Sequence, residues 1–166
     1  DARESIGAMS SRATISSMSS YAILGCGSVG HSVAEELIER GKDVLIIDKD
    51  ESRVEALRDQ DLNAQQGDIS DPSITETIEG RDVILILASD VDANKAAVGH
   101  VRKQDAEQFI VARASDPVTS DELSEMGADV VINPSSVISD AALRALESGE
   151  LEFKARQLAE VLQRSE

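Results

Sequence analysis

The residues in this chain whose types and spacing could do chemistry are glycines and carboxylates. Gly25, Gly27 and Gly30 form a G-x-G-x-x-G turn directly after the apolar run Tyr21-Ala22-Ile23-Leu24. Asp48 closes the next apolar run about 20 residues further on. Each glycine has its own mechanical task. Gly25 permits a tight turn out of a strand, Gly27 leaves the backbone bare for a pyrophosphate, and Gly30 lets a helix pack close to a sheet. The N–H groups at the helix start then face the phosphates. Asp48 can accept hydrogen bonds from both ribose hydroxyls of an adenosine and would repel a 2′-phosphate, which favours NAD over NADP. Lys49 and Arg53, close by in sequence, soften that discrimination. A triphosphate would meet Asp90 and Asp92, so NAD(H), AMP or ADP is expected to bind better than NADPH or ATP.

Two more charged residues end apolar runs. Asp68 follows the third run, where it lies near the adenine edge or else caps a loop. Arg113 follows the fifth, where it pairs with a phosphate or else forms a salt bridge to Asp116 or Asp90. His31, in the first turn of the first helix, reads as an exposed or packing side chain, and His100 receives no role. Cys26 reads as a small residue in a tight turn rather than a redox centre.

Positioning these groups takes alternating strands and helices. Strands are expected at residues 21–24, 43–48, 63–66, 83–87, 109–112 and 130–132. The first helix, 28–40, carries Val29, Val33, Leu37 and Ile38 on one face and ends at Gly41. Asp50 is the expected N-cap of a helix at 51–59, and Asp71-Pro72 of one ending near Gly80. Further helices are expected up to about residue 102 and at 120–126, 136–146 and 151–163. This βα alternation is that of a Rossmann-type, doubly wound, six-stranded parallel sheet. Ligands bind such a sheet beyond the carboxyl ends of its strands, at the switch point between strands one and four. Gly25, Cys26, Gly27, Ser28, Val29 and Gly30 then stand on one side, with Asp48 and Lys49. Residues 88–94, opened by Ala88 and Ser89, stand on the other. The expected division is a flexible arm at 1–20, the nucleotide domain at 21–147, and a linker or dimerisation helix at 148–166. The stripe Leu151, Ala155, Leu158 and Leu162 on that last helix calls for a partner, which predicts a homodimer.

Composition narrows the class. The net charge is −16 and Lys is much rarer than Arg. Such a surface repels nucleic acid and anionic membranes, and it matches a halophile's carboxylate-rich exterior. With one cysteine there is no disulfide within the chain, which fits a reducing cytoplasm. No apolar run approaches the roughly 20 residues of a membrane span. The first residue is Asp1, and both ends read as cut from a longer protein. The groups that dehydrogenases use are missing: the single Tyr lies in strand one, and no Cys, His and carboxylate cluster has metal spacing. A nucleotide-holding site without reacting groups is the expectation, and a small NAD-dependent reductase the lesser alternative.

The run Tyr-Ala-Ile-Leu-Gly-Cys-Gly-Ser-Val-Gly, then Val-Leu-Ile-Ile-Asp48-Lys-Asp, Gly67-Asp68, Asn94, Val-Ala-Arg113-Ala and Gly-Ala-Asp-Val-Val-Ile-Asn-Pro resemble the TrkA-N domain, also called KTN or RCK. The resemblance implies a dimeric regulatory module that binds NAD(H) or an adenine nucleotide and relays its presence to a potassium channel, a transporter or a fused enzyme. By matching position it makes Gly25, Gly27, Gly30, Asp48, Asp68 and Arg113 ligand residues. The TrkA-C domain that usually follows is missing. Archaeal phosphoesterases of the DHH class carry a similar domain at their N-terminus, and this chain as such a non-catalytic domain is the alternative.

Overall fold

The central strands of the sheet are built from runs buried on both faces, while the edge strands are partly exposed. The structure, a computed structural model, describes residues 18–164, apart from the side chains of residues 150–155. The expected arm therefore lies outside the described residues as far as residue 17. Six strands form one sheet: β1 (Ser20–Leu24), β2 (Asp43–Asp48), β3 (Ala64–Gln66), β4 (Val83–Ile86), β5 (Phe109–Arg113) and β6 (Val130–Ile132). Their spatial order is β3-β2-β1-β4-β5-β6 and every pair is parallel. The chain reverses its direction of winding between β1 and β4, as the switch-point argument requires.

Alternation along the strands sorts the core into two layers. Ala22, Leu24, Leu45, Ile47, Ile84 and Ile86 point to one face. Ile23, Val44 and Ile46 point to the other. Helix α1 (Ser28–Glu39) and helix α2 (Glu51–Asp59) cover the second face through Ala34, Val54 and Leu57. The first face is covered by α3 (Ile74–Thr77), α4 (Val91–Gln104) and α5 (Pro117–Glu125) through Ile74, Ala97, Val98, Val101 and Leu123. Each fully buried Ile or Leu contributes about 1.5–3 kcal/mol. With almost no aromatics, these aliphatic layers carry the burial.

Several helices differ from expectation at their ends. Ile38 is 40% exposed and lies off the packed face of α1, whose buried residues are Gly30 and Ala34. α3 is a single turn. Asp71 accepts from Ser73 N–H, and its carbonyl from Ile74 N–H, so Asp71-Pro72 opens a turn ahead of the helix rather than the helix itself. α5 starts at Pro117, three residues earlier than expected, because Asp116 and Thr119 form a capping box there.

The chain divides after Ile132. α6 (Pro134–Glu147), expected within the nucleotide domain, falls in the second unit with α7 (Glu150–Arg164). Asn133 caps α6 by accepting from Ser135 N–H, and Gly149 at φ +79° separates the two helices. α6 has no buried residue. Val137, Ile138, Leu143 and Leu146 are exposed on it, as are Leu158, Val161 and Leu162 on α7. Leu151 and Ala155, the other members of the expected stripe, have side chains outside the described set. Among the described residues no helix is long and apolar enough to cross a membrane.

Asp50, Asp82 and Asp116 are exposed aspartates that hold loop or helix starts, and all three are kept below the usual carboxylate range. The Ser52 hydroxyl does this to Asp50, first among its donors. Thr119 N–H does it to Asp116, and Ser19 and Ser20 N–H to Asp82. A depressed folded pKa means stability that is present above the unfolded value of 3.8 and lost as pH falls through the folded value. In molar salt, which screens the net charge, the urea midpoint should stay level from neutral pH down to about 5 and fall as pH drops through the unfolded carboxylate value. A midpoint unchanged well into acid would show that these caps add nothing.

Candidate functional site

Beyond the carboxyl ends of the strands lies a cleft of about 440 Å³. Its walls include Gly25, Cys26, Gly27 and Ser28 from the glycine turn, Asp48 and Lys49 from the end of β2, and Asp68 after β3. Ala88 and Ser89 after β4 and Arg113 at the end of β5 complete the expected set. Val29 and Gly30, also expected at the site, do not line it. The Val29 side chain packs on the α1 face of the core, and Gly30 is buried.

The glycines divide their tasks nearly as the spacing predicts. Gly25 has φ +88°, and a Cβ built there would stand 2.6 Å from the Ala88 Cβ. It therefore serves both the turn and a tight crossing of β4's loop over β1's turn. A Cβ on Gly30 would meet the Gly25 carbonyl at 2.8 Å. Before Gly27 there is open space within 4 Å, the space a phosphate needs. Gly27 is also the N-cap of α1, so no side chain caps that helix. The first bond inside α1 runs from His31 N–H to the Gly27 carbonyl, at 3.0 Å. The N–H groups of Ser28, Val29 and Gly30 are therefore left without helical acceptors. Of Val29 and Gly30, only the backbone N–H groups are left for a ligand at this helix start.

Asp48 is only 4% exposed. Its Oδ2 accepts from Cys26 N–H at 2.8 Å and from the Arg53 guanidinium at 3.1 Å, and its Oδ1 accepts from Asp50 N–H at 2.9 Å. A carboxylate offers about four acceptor positions, so roughly one remains. As arranged, Asp48 can take one ribose hydroxyl, and a second only if Arg53 withdraws. Arg53 lines the cleft itself. The sequence alone gives Arg53 only the effect of softening the preference against a 2′-phosphate. The signal was its spacing: the third residue after the N-cap Asp50, which turns it back toward the end of β2.

Asp68 accepts from both the Ser70 hydroxyl (2.6 Å) and Ser70 N–H (2.9 Å), which hold its carboxyl below the usual range. It serves as a loop cap and lines the cleft, so the two readings of it coexist. His100 holds that loop from α4, with Nε2 3.0 Å from the Ser70 carbonyl. Asp90 and Asp116, the alternative partners of Arg113, are committed to capping α4 and α5. Arg113 is half-buried and makes no ion pair or side-chain hydrogen bond among the described residues. Asp90 and Ala93, within the expected stretch 88–94, line the cleft too, as do Gly67, Ile69, Ser70 and Leu87, which were not among the expected site residues.

One buried polar group near the cleft is only half satisfied. Asn94, fully buried on α4, donates from Nδ2 to the Ala88 carbonyl at 2.7 Å and to the Arg113 carbonyl at 3.0 Å. Its Oδ1 has no partner among the described residues. Such an orphan costs about 1–3 kcal/mol. Among the described residues no group of three or more His, Cys, Asp or Glu side chains could hold a metal ion.

Comparison with known proteins agrees with this geometry. The sequence profile of the TrkA-N domain matches residues 21–134. The Trk system potassium uptake protein TrkA of Mycobacterium tuberculosis is 27% identical over 133 residues. That match covers 78% of this chain and 60% of the relative, so the chain spans about three-fifths of that protein's length. Among solved structures, the NAD(P)-binding domain of an exopolyphosphatase-related protein from Archaeoglobus fulgidus superposes with a TM-score of 0.72 at 26% identity. It covers 78% of this chain and 98% of that one. GsuK bound to ADP gives a TM-score of 0.68 at 26% identity, covering 77% of this chain and 34% of that one.

Cys26, 2% exposed, sits between the turn and Asp48. Burial, reinforced by the Asp48 charge and offset in part by Arg53, pushes its thiol up to about 11. At pH 8 only about one thiol in a thousand is then ionised. Iodoacetamide should leave the native protein unmodified at pH 8 and alkylate it rapidly once urea unfolds it. Native alkylation at the rate of a free thiol would remove Cys26 from this buried place.

Proposed function

The chain belongs to the TrkA-N domain family, and from that premise we propose that its cleft takes up an adenine nucleotide, NAD(H) or AMP/ADP, as a regulatory module. One conjunction carries this reading: the uncapped start of α1, fronted by the bare backbone of Gly27, shares a cleft with the unpaired cation Arg113. Free N–H groups and a guanidinium together form a phosphate site. The rest of the cleft suits an adenosine, with Asp48 able to take a ribose hydroxyl. ADP was the ligand of GsuK, which supports the adenine part of the assignment.

The chain's part is binding rather than catalysis. Asp68, Asp90 and Asp116 are engaged in caps, Asp48 holds the turn, and Cys26 stays protonated. The effector that listens belongs to the proposal as well. The TrkA relative points to potassium uptake, with the module in the cytoplasm where nucleotides are plentiful. The Archaeoglobus domain supports a second reading, the non-catalytic N-terminal domain of a DHH-type phosphoesterase. A continuation of the native gene carrying an Asp-His-His motif would decide for the second.

Calorimetric titration in molar salt tests the site. NADH, ADP and AMP should bind the unmutated protein without NADH being oxidised. Arg113→Ala should weaken ADP by about tenfold or more, since a charge-assisted hydrogen bond contributes about 1.5–3 kcal/mol. Gly27→Ala should keep the melting temperature, having open space for its Cβ, and yet lose ADP. Retained ADP affinity in both variants would move the phosphates elsewhere.

We also infer a homodimer formed through the second unit. α6 and α7 expose Ile138, Leu143, Leu146, Leu158 and Val161. Apolar faces of that extent need cover. Light scattering should give twice the chain mass at high salt. Ile138→Glu with Leu143→Glu should return it to the monomer mass while ADP binding persists. A monomer mass for the unmutated protein at high concentration would exclude this.

A further inference from the structure

Asn94 takes no part in lining the cleft, yet it joins two of the segments that do. The β4–β5 ladder ends at the pair Ile86 and Ala112. Beyond it the two chains separate toward α4 and α5. The Asn94 amide bridges them there, donating one proton to the carbonyl of Ala88 and the other to that of Arg113. Ala88 is the residue against which the Gly25 turn closes, where a Cβ on Gly25 would be 2.6 Å from the Ala88 Cβ. One side chain therefore connects the glycine turn, through Ala88, to the backbone that carries Arg113.

We propose that Asn94 is the positioning residue of the phosphate subsite, its amide fixing the Arg113 backbone against the Ala88 loop so that the guanidinium and the start of α1 meet one phosphate together. This rests on the nucleotide reading given above. The choice of residue supports it. An apolar side chain would fill the same space but take the Asn94 donors away from two part-buried carbonyls. Asp has no proton to donate when ionised and at most one when neutral. An amide supplies both, and the orphaned Oδ1 shows that its acceptor end satisfies nothing among the described residues. The donors are what the position keeps. α4 itself is started by Asp90, whose carbonyl accepts from Asn94 N–H at 3.1 Å. The bridge is thereby anchored to a capped helix and not to a loop.

A positioning role differs from general support in which ligands it affects. Adenosine has no phosphate and does not need Arg113, whereas ADP does. Calorimetry on the full chain, with ADP and adenosine as probes, reads this directly. Asn94→Ala should weaken ADP about tenfold and change adenosine by less than about twofold. In the Arg113→Ala background, Asn94→Ala should add no further loss of ADP affinity, the non-additivity expected of residues acting through one contact. Equal losses for ADP and adenosine, or additive losses in the double variant, would overturn the proposal. Should Asn94→Ala fail to fold, the side-chain amide signals of Asn94 in the ¹⁵N-labelled unmutated protein give a second test. They should shift on adding ADP and stay in place with adenosine, and no shift with ADP would overturn it. Failure of the unmutated protein to bind ADP would overturn the nucleotide reading and this proposal with it. ADP binding that survives Asn94→Ala unchanged would overturn this proposal alone.

Discussion

A buried carboxylate organises the mouth of this sheet. Asp48 sits at the end of β2 almost without solvent, and a charge in that position is tolerated only with donors around it. It has three: Cys26 N–H from the glycine turn, Asp50 N–H from the start of α2, and the Arg53 guanidinium. Each ties a separate piece of chain to the same point. The turn after β1 cannot drift from β2 without stranding the charge, and neither can α2. That is why the glycine turn holds its shape although Gly25 and Gly27 have no side chains to anchor it. Removing the carboxylate would release the turn, so a ligand effect at this position mixes binding with architecture. Arg53 lets both roles share one residue: it neutralises the carboxylate from the cleft side, where a ribose would otherwise be its counterpart.

How much of this the sequence disclosed depends on the range of the interaction. The turn, the end of β2 and the cap at Asp50 are local, with their signals within a few residues, and they were readable. So were the strands themselves, because two-sided burial leaves continuous apolar runs, although such a run does not say that Ile23 and Ile46 face one layer and Leu24 and Ile47 the other. The short helix after Asp71 was not. Pro72 and Asp71 satisfy the grammar of a helix start, yet the chain closes a turn first and makes one helical turn only. At Asp116-Pro117-Val118-Thr119 the capping box was present in the letters and starts α5 ahead of the expected residue 120. Ile38 looked like a core residue by spacing, but the close approach of α1 to the sheet selects Gly30 and Ala34 instead. Partner choice across the fold stayed hidden. Nothing local says that Asn94, which reaches back six residues to the Ala88 carbonyl, also reaches forward nineteen to that of Arg113.

Charge placement shows the same economy of acids. On a chain of net charge −16, carboxylates could be expected to crowd any cationic cleft. Around this one they are drawn into local bonds. Asp50 and Asp90 turn back on the N–H groups of α2 and α4, Asp116 on those of α5, and Asp68 on Ser70. Each such carboxylate spends part of its field on a helix start or a turn, where partial positive charge compensates it. Lys49, Arg53 and Arg113 then line the cleft together with Asp48, Asp68 and Asp90, whose carboxylates are all engaged, within an acidic exterior. Field lines from the surrounding acids oppose the approach of an anion, and high ionic strength screens them over a few ångströms while leaving contacts inside the cleft nearly intact.

The helix that departs from this pattern is α1. α2, α4, α5 and α6 each begin at a side chain that accepts from the first N–H groups, whereas α1 begins at Gly27 with none. An Asp at position 27 would be a better cap on propensity alone, by about 1 kcal/mol or less relative to Gly. It would also set its own carboxylate where the space before Gly27 is now open, and its charge would face the same N–H groups that an incoming phosphate needs. The sequence forgoes that small stabilisation at one of the five helices α1, α2, α4, α5 and α6; the single-turn α3 also starts without a side-chain cap. The omission falls at the single start that faces both Arg113 and the crossing of β1 and β4. Local stability and site chemistry compete for the same backbone donors, and at α1 they are left to the site.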